Sequence, residues 1–161
     1  MVYGGGNIGL MGTLADAVLA EGGEVIGVIP EALLEKELGH NGVTELRVTG
    51  SMHERKQLMA DLSDGFVALP GGVGTLEELF ETWTWLQLSF HEKPVAVWNI
   101  GGFYDWLVGL LPHLVGQGFL RQKHADVLLV EKDSERLMER MAAFEAPEVE
   151  KWVDKPSPDE R

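Results

Sequence analysis

"VALPGGVGTLEE" (Val67–Glu78) holds the end of a strand, a glycine cluster and the start of a helix. The apolar run stops at Pro70, and Gly71, Gly72 and Gly74 turn the chain into a helix expected from Thr75. Glycine permits positive φ and leaves no Cβ between the backbone and a ligand. Free N–H groups at a helix start, reinforced by the helix dipole, favour an anion. The plain alternative is a strand-to-helix turn that merely needs glycine. No Gly-Lys-Ser/Thr follows Gly74, so this is not a Walker loop, and a monophosphate fits it better than a triphosphate.

Thr75-Leu76-Glu77-Glu78 also reads as a T-x-x-E capping box. Glu78 then has two readings. Its carboxylate bonds back to the Thr75 N–H as a cap, or it faces a ligand and activates water or stabilises a developing cation. Spacing alone leaves both open. Glu77 points elsewhere on the helix, towards solvent.

Outward from this stretch, strand-length apolar runs alternate with segments of helical period. Strands are expected at Val2-Tyr3, Glu24–Pro30, Thr44–Thr49, Gly65–Pro70, Pro94–Ile100 and Asp126–Glu131. Helices are expected over Leu10–Ala20, Ser51–Leu62, Thr75–His91, Phe103–Gln117 (despite Pro112) and Ser134–Phe144. Strands that are continuously apolar are buried on both faces, and alternation with helices implies right-handed parallel crossovers. The expected fold is α/β: a Rossmann-like, doubly wound parallel sheet with helices on both faces, in one domain over residues 1–144. Residues 145–161, Pro-containing and charged, read as a disordered tail.

The 161-residue chain carries 26 acidic residues against 13 Lys and Arg, a net charge of −13. Such a surface repels nucleic acid and anionic membranes, so a bound phosphate needs a local, preorganised site. With no cysteine, disulfides, thiolate nucleophiles and Cys-based metal sites are excluded. No signal segment and no membrane-length apolar run is present, which points to the cytoplasm. His40, His53, His91, His113 and His124 are scattered singly, so no metal site is expected. Trp83, Trp85, Leu86, Leu88 and Phe90 read as core, or as one face of a dimer contact.

A second glycine cluster opens the chain. In "MVYGGGNIGLMG" (Met1–Gly12), Gly4, Gly6 and Gly9 match the G-x-G-x-x-G spacing of a dinucleotide-binding turn. A second box, Ser51-Met52-His53-Glu54, starts the helix that carries Arg55 and Lys56. Basic residues in a helix's first turn oppose the dipole unless an anion lies in front of them. Arg55 could grip phosphate with its planar fork; the plain alternative is a surface ion pair.

These three stretches together carry a resemblance. "PGGVGTLEE" (Pro70–Glu78) resembles the PGGxGTxxE signature of the LONELY GUY family, the cytokinin riboside 5′-monophosphate phosphoribohydrolases, often mislabelled as lysine decarboxylases. "VYGGGNIGLMG" (Val2–Gly12) is similar to the family's other signature loop, and "SMHERKQLM" (Ser51–Met59) to its Arg-bearing helix, so the match runs from residue 2 to about 144. The resemblance implies hydrolysis of the N-glycosidic bond of an N6-modified AMP, or of AMP itself, to free base and ribose 5-phosphate. It implies Glu78 as catalytic carboxylate and Arg55 as its essential partner. Gly71, Gly72, Gly74 and Thr75 resemble the phosphate-binding loop, and Met52, Lys56, Gly5, Gly6 and Asn7 the other nucleotide contacts. No cofactor is implied, and the family is homodimeric or larger.

Family members also begin with a strand and helix before the Tyr-Gly-Gly-Gly loop, so the natural start is expected upstream of Met1. A non-catalytic nucleotide or molybdenum-cofactor carrier of the same fold is the alternative reading. A dinucleotide oxidoreductase would want an acidic residue at the end of "EVIGVI", where Pro30-Glu31 stands. Neither Lys36 nor Lys56 has the context of a pyridoxal-phosphate lysine, which speaks against decarboxylation.

Overall fold

A computed structural model describes residues 1–37 and 39–147. The chain divides into two compact units, Met1–Asp64 and the residues from Gly65 onward. The expected tail lies outside the described residues from position 148, and 145–147 carry no regular structure.

The first unit runs β1 (Val2–Tyr3), α1 (Gly9–Ala20), β2 (Ile26–Pro30), α2 (Glu31–Glu37), β3 (Glu45–Thr49) and α3 (Met52–Leu62). Its strands form a parallel sheet in the order β1-β2-β3, with Val2 opposite Ile26 and Ile26 opposite Glu45. Helix α1 stops in a Schellman motif. The Gly22 N–H reaches the Leu19 carbonyl at 3.0 Å and the Gly23 N–H the Val18 carbonyl at 2.9 Å. Gly22, at φ +77°, supplies the left-handed residue this needs. Val28 and Ile29 are fully buried in β2, and Tyr3, Ala15 and Val25 form a core with Val18, Leu19 and Val43.

The second unit runs β4 (Phe66–Ala68), α4 (Val73–Gln87), β5 (Val95–Trp98), a 3-10 turn (Ile100–Gly102), α5 (Asp105–Gly116), α6 (Gln122–Asp126), β6 (Leu128–Glu131) and α7 (Ser134–Ala142). Its sheet is also parallel, in the order β4-β5-β6. Alternate residues of β5 point to opposite faces. Val95 and Val97 pack with Leu79, Trp83 and Leu86 of α4 and Leu107 of α5, whereas Ala96 packs with Leu129 and Leu137 of α7. Both faces are covered, which is why "VAVW" reads as an unbroken apolar run rather than an alternating one.

The Rossmann-like parallel α/β class expected from sequence is therefore present, the six strands among the described residues lying in two three-stranded sheets. The two short helices α2 and α6 were not expected, being too brief to show a helical period. Pro112 lies inside α5, as anticipated. Helix α4 ends at Gln87, short of the expected His91, and the aromatic run is split in role: Trp83 and Leu86 inside it are core, while Leu88 and Phe90 beyond it are exposed. Among the described residues no helix is long and apolar enough to cross a membrane.

Candidate functional site

In the first unit the glycine loop after β1 is built inwards. Gly4, Gly5 and Gly6 are buried, and each of their carbonyls accepts a hydrogen bond. Arg55 Nη2 donates to Gly4 O at 2.8 Å, the His40 N–H to Gly5 O at 3.0 Å, and the Tyr3 hydroxyl to Gly6 O at 3.2 Å. Gly5 sits at φ +77°, and a Cβ there would press on Ile29 and Leu46. A Cβ on Gly4 would overlap the Arg55 guanidinium. Asn7 and Ile8 beyond them are exposed.

Arg55 is the pivot of this arrangement. It is only 6% exposed, and its Nε also donates to Val28 O at 3.0 Å. It therefore joins the chain just after β1 to the middle of β2, and its Nη1 lies 3.7 Å from Met52 Sδ. A surface ion pair is ruled out: the cation is deeply buried, and it spends two of its donors on backbone carbonyls. Lys56 is half-buried and Met52 exposed on the same helix. Ser51 caps α3 as expected, accepting the Glu54 N–H at 3.2 Å. The Glu54 carboxylate closes the box one residue early, on the Gly50 N–H at 2.8 Å.

His40 and Tyr3, which sequence reasoning did not single out, support the same loop. His40 Nδ1 accepts the Gly42 N–H at 3.1 Å, so Nε2 carries the proton donated to Asp16 at 3.0 Å. Burial, and after it the charge of Asp16, push the Tyr3 phenol pKa up, keeping its hydroxyl a donor.

The second unit corrects the reading of the other loop. Helix α4 starts at Val73 with Gly72 as its extended N-cap, and the Leu76 N–H reaches Gly72 O at 3.2 Å. Thr75 is thus the third residue of the helix, not its cap, and Glu78 is not half of a capping box. Gly71 leaves room for this arrangement, since a Cβ there would strike the Thr75 side chain. Thr75 folds over the turn from within the helix. Glu78 lies half-buried in the second turn, its carbonyl accepting the Thr82 hydroxyl at 2.9 Å.

The glycines of this loop are not there for positive φ, since none of Gly71, Gly72 and Gly74 adopts it. Gly72 and Gly74 are exposed, and a Cβ on either would meet nothing within 4 Å. The first four N–H groups of an α-helix have no intrahelical acceptor, and here they belong to Gly72, Val73, Gly74 and Thr75. This turn can receive an anion on backbone donors, with a carboxylate one turn further along. Among the described residues, no group of three His, Asp or Glu is placed as metal ligands would be. The candidate residues thus form two sets. Gly5, Gly6, Asn7, Met52, Arg55 and Lys56 belong to the first unit; Gly71, Gly72, Gly74, Thr75 and Glu78 belong to the second.

Parallel sheets whose strands run through glycine-rich loops into helices define the Rossmann-like class of α/β protein. Within it, residues 11–141 match a family model described as "possible lysine decarboxylase". The chain is 47% identical over 144 residues to a probable cytokinin riboside 5′-monophosphate phosphoribohydrolase of Oryza sativa subsp. japonica, covering 89% of this chain and 63% of the rice protein. It is 48% identical over 136 residues to the cytokinin riboside 5′-monophosphate phosphoribohydrolase of Rhodococcoides fascians, covering 84% and 69%. An Arabidopsis thaliana protein of the same name is 40% identical over 166 residues, covering 97% and 73%. The chain belongs to the LONELY GUY family. It spans 63% of the length of its rice relative.

Proposed function

We propose that this chain hydrolyses the N-glycosidic bond of a nucleoside 5′-monophosphate bearing an N6-modified adenine, with AMP a second substrate. Water adds to C1′ of the ribose, the C1′–N bond breaks, and free base and ribose 5-phosphate leave. The names of its relatives supply the substrate class. The carrying observation is the pair Gly72 and Gly74: exposed, at ordinary φ and with open space around them. Alanine inside a helix is favoured over glycine by about 0.5–1 kcal/mol, so Gly74 stands against the helix's own interest. A phosphate seated on the backbone N–H groups explains why no side chain stands there.

Gly71, Gly72, Gly74 and Thr75 are assigned to the phosphate, and Glu78 to the sugar. As the C–N bond stretches, the ribose gains oxocarbenium character, which a carboxylate stabilises while orienting water. The phosphate anchor holds the ribose in reactive geometry with binding energy remote from the breaking bond. Gly5, Gly6, Asn7, Met52 and Lys56 are proposed nucleotide contacts. Arg55 is proposed to serve them by fixing the loop at Gly4. The enzyme is proposed to work as a cytoplasmic homodimer, with exposed apolar groups such as Phe90 as contact material; sedimentation equilibrium tests the assembly.

Base release from AMP and from N6-isopentenyl-AMP, followed chromatographically, tests the reaction. Glu78→Gln should lower turnover by about 10³-fold, the scale of losing a key electrostatic group, with an unchanged melt. Arg55→Ala should also lose most activity. A well-folded Glu78→Gln protein with full turnover defeats the assignment. Tight nucleotide binding without base release by the unaltered chain makes it a carrier instead.

A further inference from the structure

We propose that Tyr104 is a positioning residue for the Gly71–Thr75 loop, acting through the peptide plane between Leu69 and Pro70. Its hydroxyl donates to the Leu69 carbonyl at 2.6 Å, a short and well-formed bond. That carbonyl is the one hydrogen-bonding group of its peptide, because Pro70 has no N–H. It also lies beyond the sheet's own control. The last paired residue of β4 is Ala68, opposite Val97, and Leu69 follows it. One phenol therefore sets the plane from which the glycine turn departs.

The phenol is itself rigidly held. Tyr104 is fully buried, among Leu107, Val95 and Val97. Its backbone N–H donates to Asn99 Oδ1 at 2.7 Å, and Asn99 Nδ2 donates to Asp105 Oδ1 at 2.8 Å. Asn99 is 1% exposed, and its own N–H is fixed to Glu131 O at 2.7 Å, just past the end of β5. The chain of bonds runs from β6 through Asn99 and Tyr104 to the end of β4. Burial raises the phenol pKa, so the hydroxyl stays protonated and donating through the working pH range. Packing alone would be met by phenylalanine, and what tyrosine adds is this one bond.

The consequence for turnover rests on the proposed reaction; the consequence for loop order does not. Tyr104→Phe keeps the ring and removes the donor. Amide exchange over Leu76–Leu79, the first hydrogen-bonded amides of α4, should quicken by about 10-fold, the effect of losing one net hydrogen bond, while Leu107–Leu111 of α5 exchange as before. KM for AMP should rise by a similar factor with a smaller change in kcat, and hydrolysis of adenosine, which lacks the phosphate, should change little. Pro70→Ala, which loosens the same plane, should reproduce the exchange pattern, and the double variant should add little to either single one. Unchanged exchange in Tyr104→Phe overturns the proposal, as do additive effects. Equal losses on AMP and adenosine overturn it too. If the unaltered chain releases no base from any nucleoside monophosphate, the proposed function falls, and the exchange measurements still decide the role of Tyr104.

Discussion

The two glycine loops look alike in sequence and are unlike in construction. Both follow a short parallel strand and lead into a helix. In the first, the glycines answer to the protein itself: Gly4 makes room for Arg55, Gly5 adopts φ +77°, and three successive carbonyls are tied to Arg55, His40 and Tyr3. In the second, Gly71 makes room for Thr75, but Gly72 and Gly74 face open space at ordinary φ. A glycine the fold requires and a glycine the fold does not require carry different information. The second kind points outward. The G-x-G-x-x-G match of the opening stretch is thus a poor guide to its role, because internal packing accounts for Gly4 and Gly5 before any ligand is considered.

The largest expected effect tests the internal half of this comparison. Gly4→Ala should push the Arg55 guanidinium off Gly4 O and leave that buried carbonyl without its donor. Overpacking and an unsatisfied buried group together cost about 2–4 kcal/mol, read as a lower midpoint in urea unfolding. Arg55→Met should cost a similar amount, and the two changes together should cost little more than the larger alone, since both break one contact. Full additivity would mean that Gly4 and Arg55 do not act as a unit.

A smaller effect, of opposite sign, tests the outward half. Gly74→Ala adds a methyl group in a helix where nothing obstructs it, and should stabilise the protein by about 0.5–1 kcal/mol. Under the proposed function the same methyl group intrudes on the phosphate, so KM for the nucleotide should rise at least about 10-fold. Stability and activity then move in opposite directions at one residue. A Gly74→Ala protein that is more stable and fully active would remove the reason for reading the second loop as a ligand seat.

Much of this was legible in the sequence, and the rest was not for physical reasons. The strand cores and the Ser51 cap follow from local pattern: apolar runs, and a hydroxyl three residues before an acidic residue. The start of α4 was misplaced by two residues because Val73 and Gly74 are weak helix formers. T-x-x-E imitates a box, but Thr75 already lies inside the helix, with Gly72 as its N-cap. Arg55 and Tyr104 were harder still. Their partners are backbone carbonyls, at Gly4, 51 residues from Arg55, and at Leu69, 35 residues from Tyr104. Every residue has a carbonyl, so no side-chain pattern announces such a bond.

The smallest expected effect concerns acid and the second unit. Burial holds the His91 imidazole below its ordinary pKa; the bond to Thr82 O opposes this in part, and Lys93 adds to it. Burial likewise lowers His124, with Lys123 and Arg121 adding to it. The buried Nδ1 of His124 has no hydrogen-bond partner among the described residues. With folded pKa values lowered, the unfolded chain takes up protons first as pH falls through the ordinary imidazole value of about 6.5. The stability is therefore complete above that value and is lost as pH drops towards the folded pKa values. Between about pH 7.5 and 5.5, on either side of that ordinary value, the urea midpoint should fall, and amides of Val95–Val97 should lose protection. Replacing the imidazole with an apolar group, His124→Leu, should make that fall shallower. A fall as steep in His124→Leu as in the unaltered protein would remove His124 from the acid response and leave His91 to account for it.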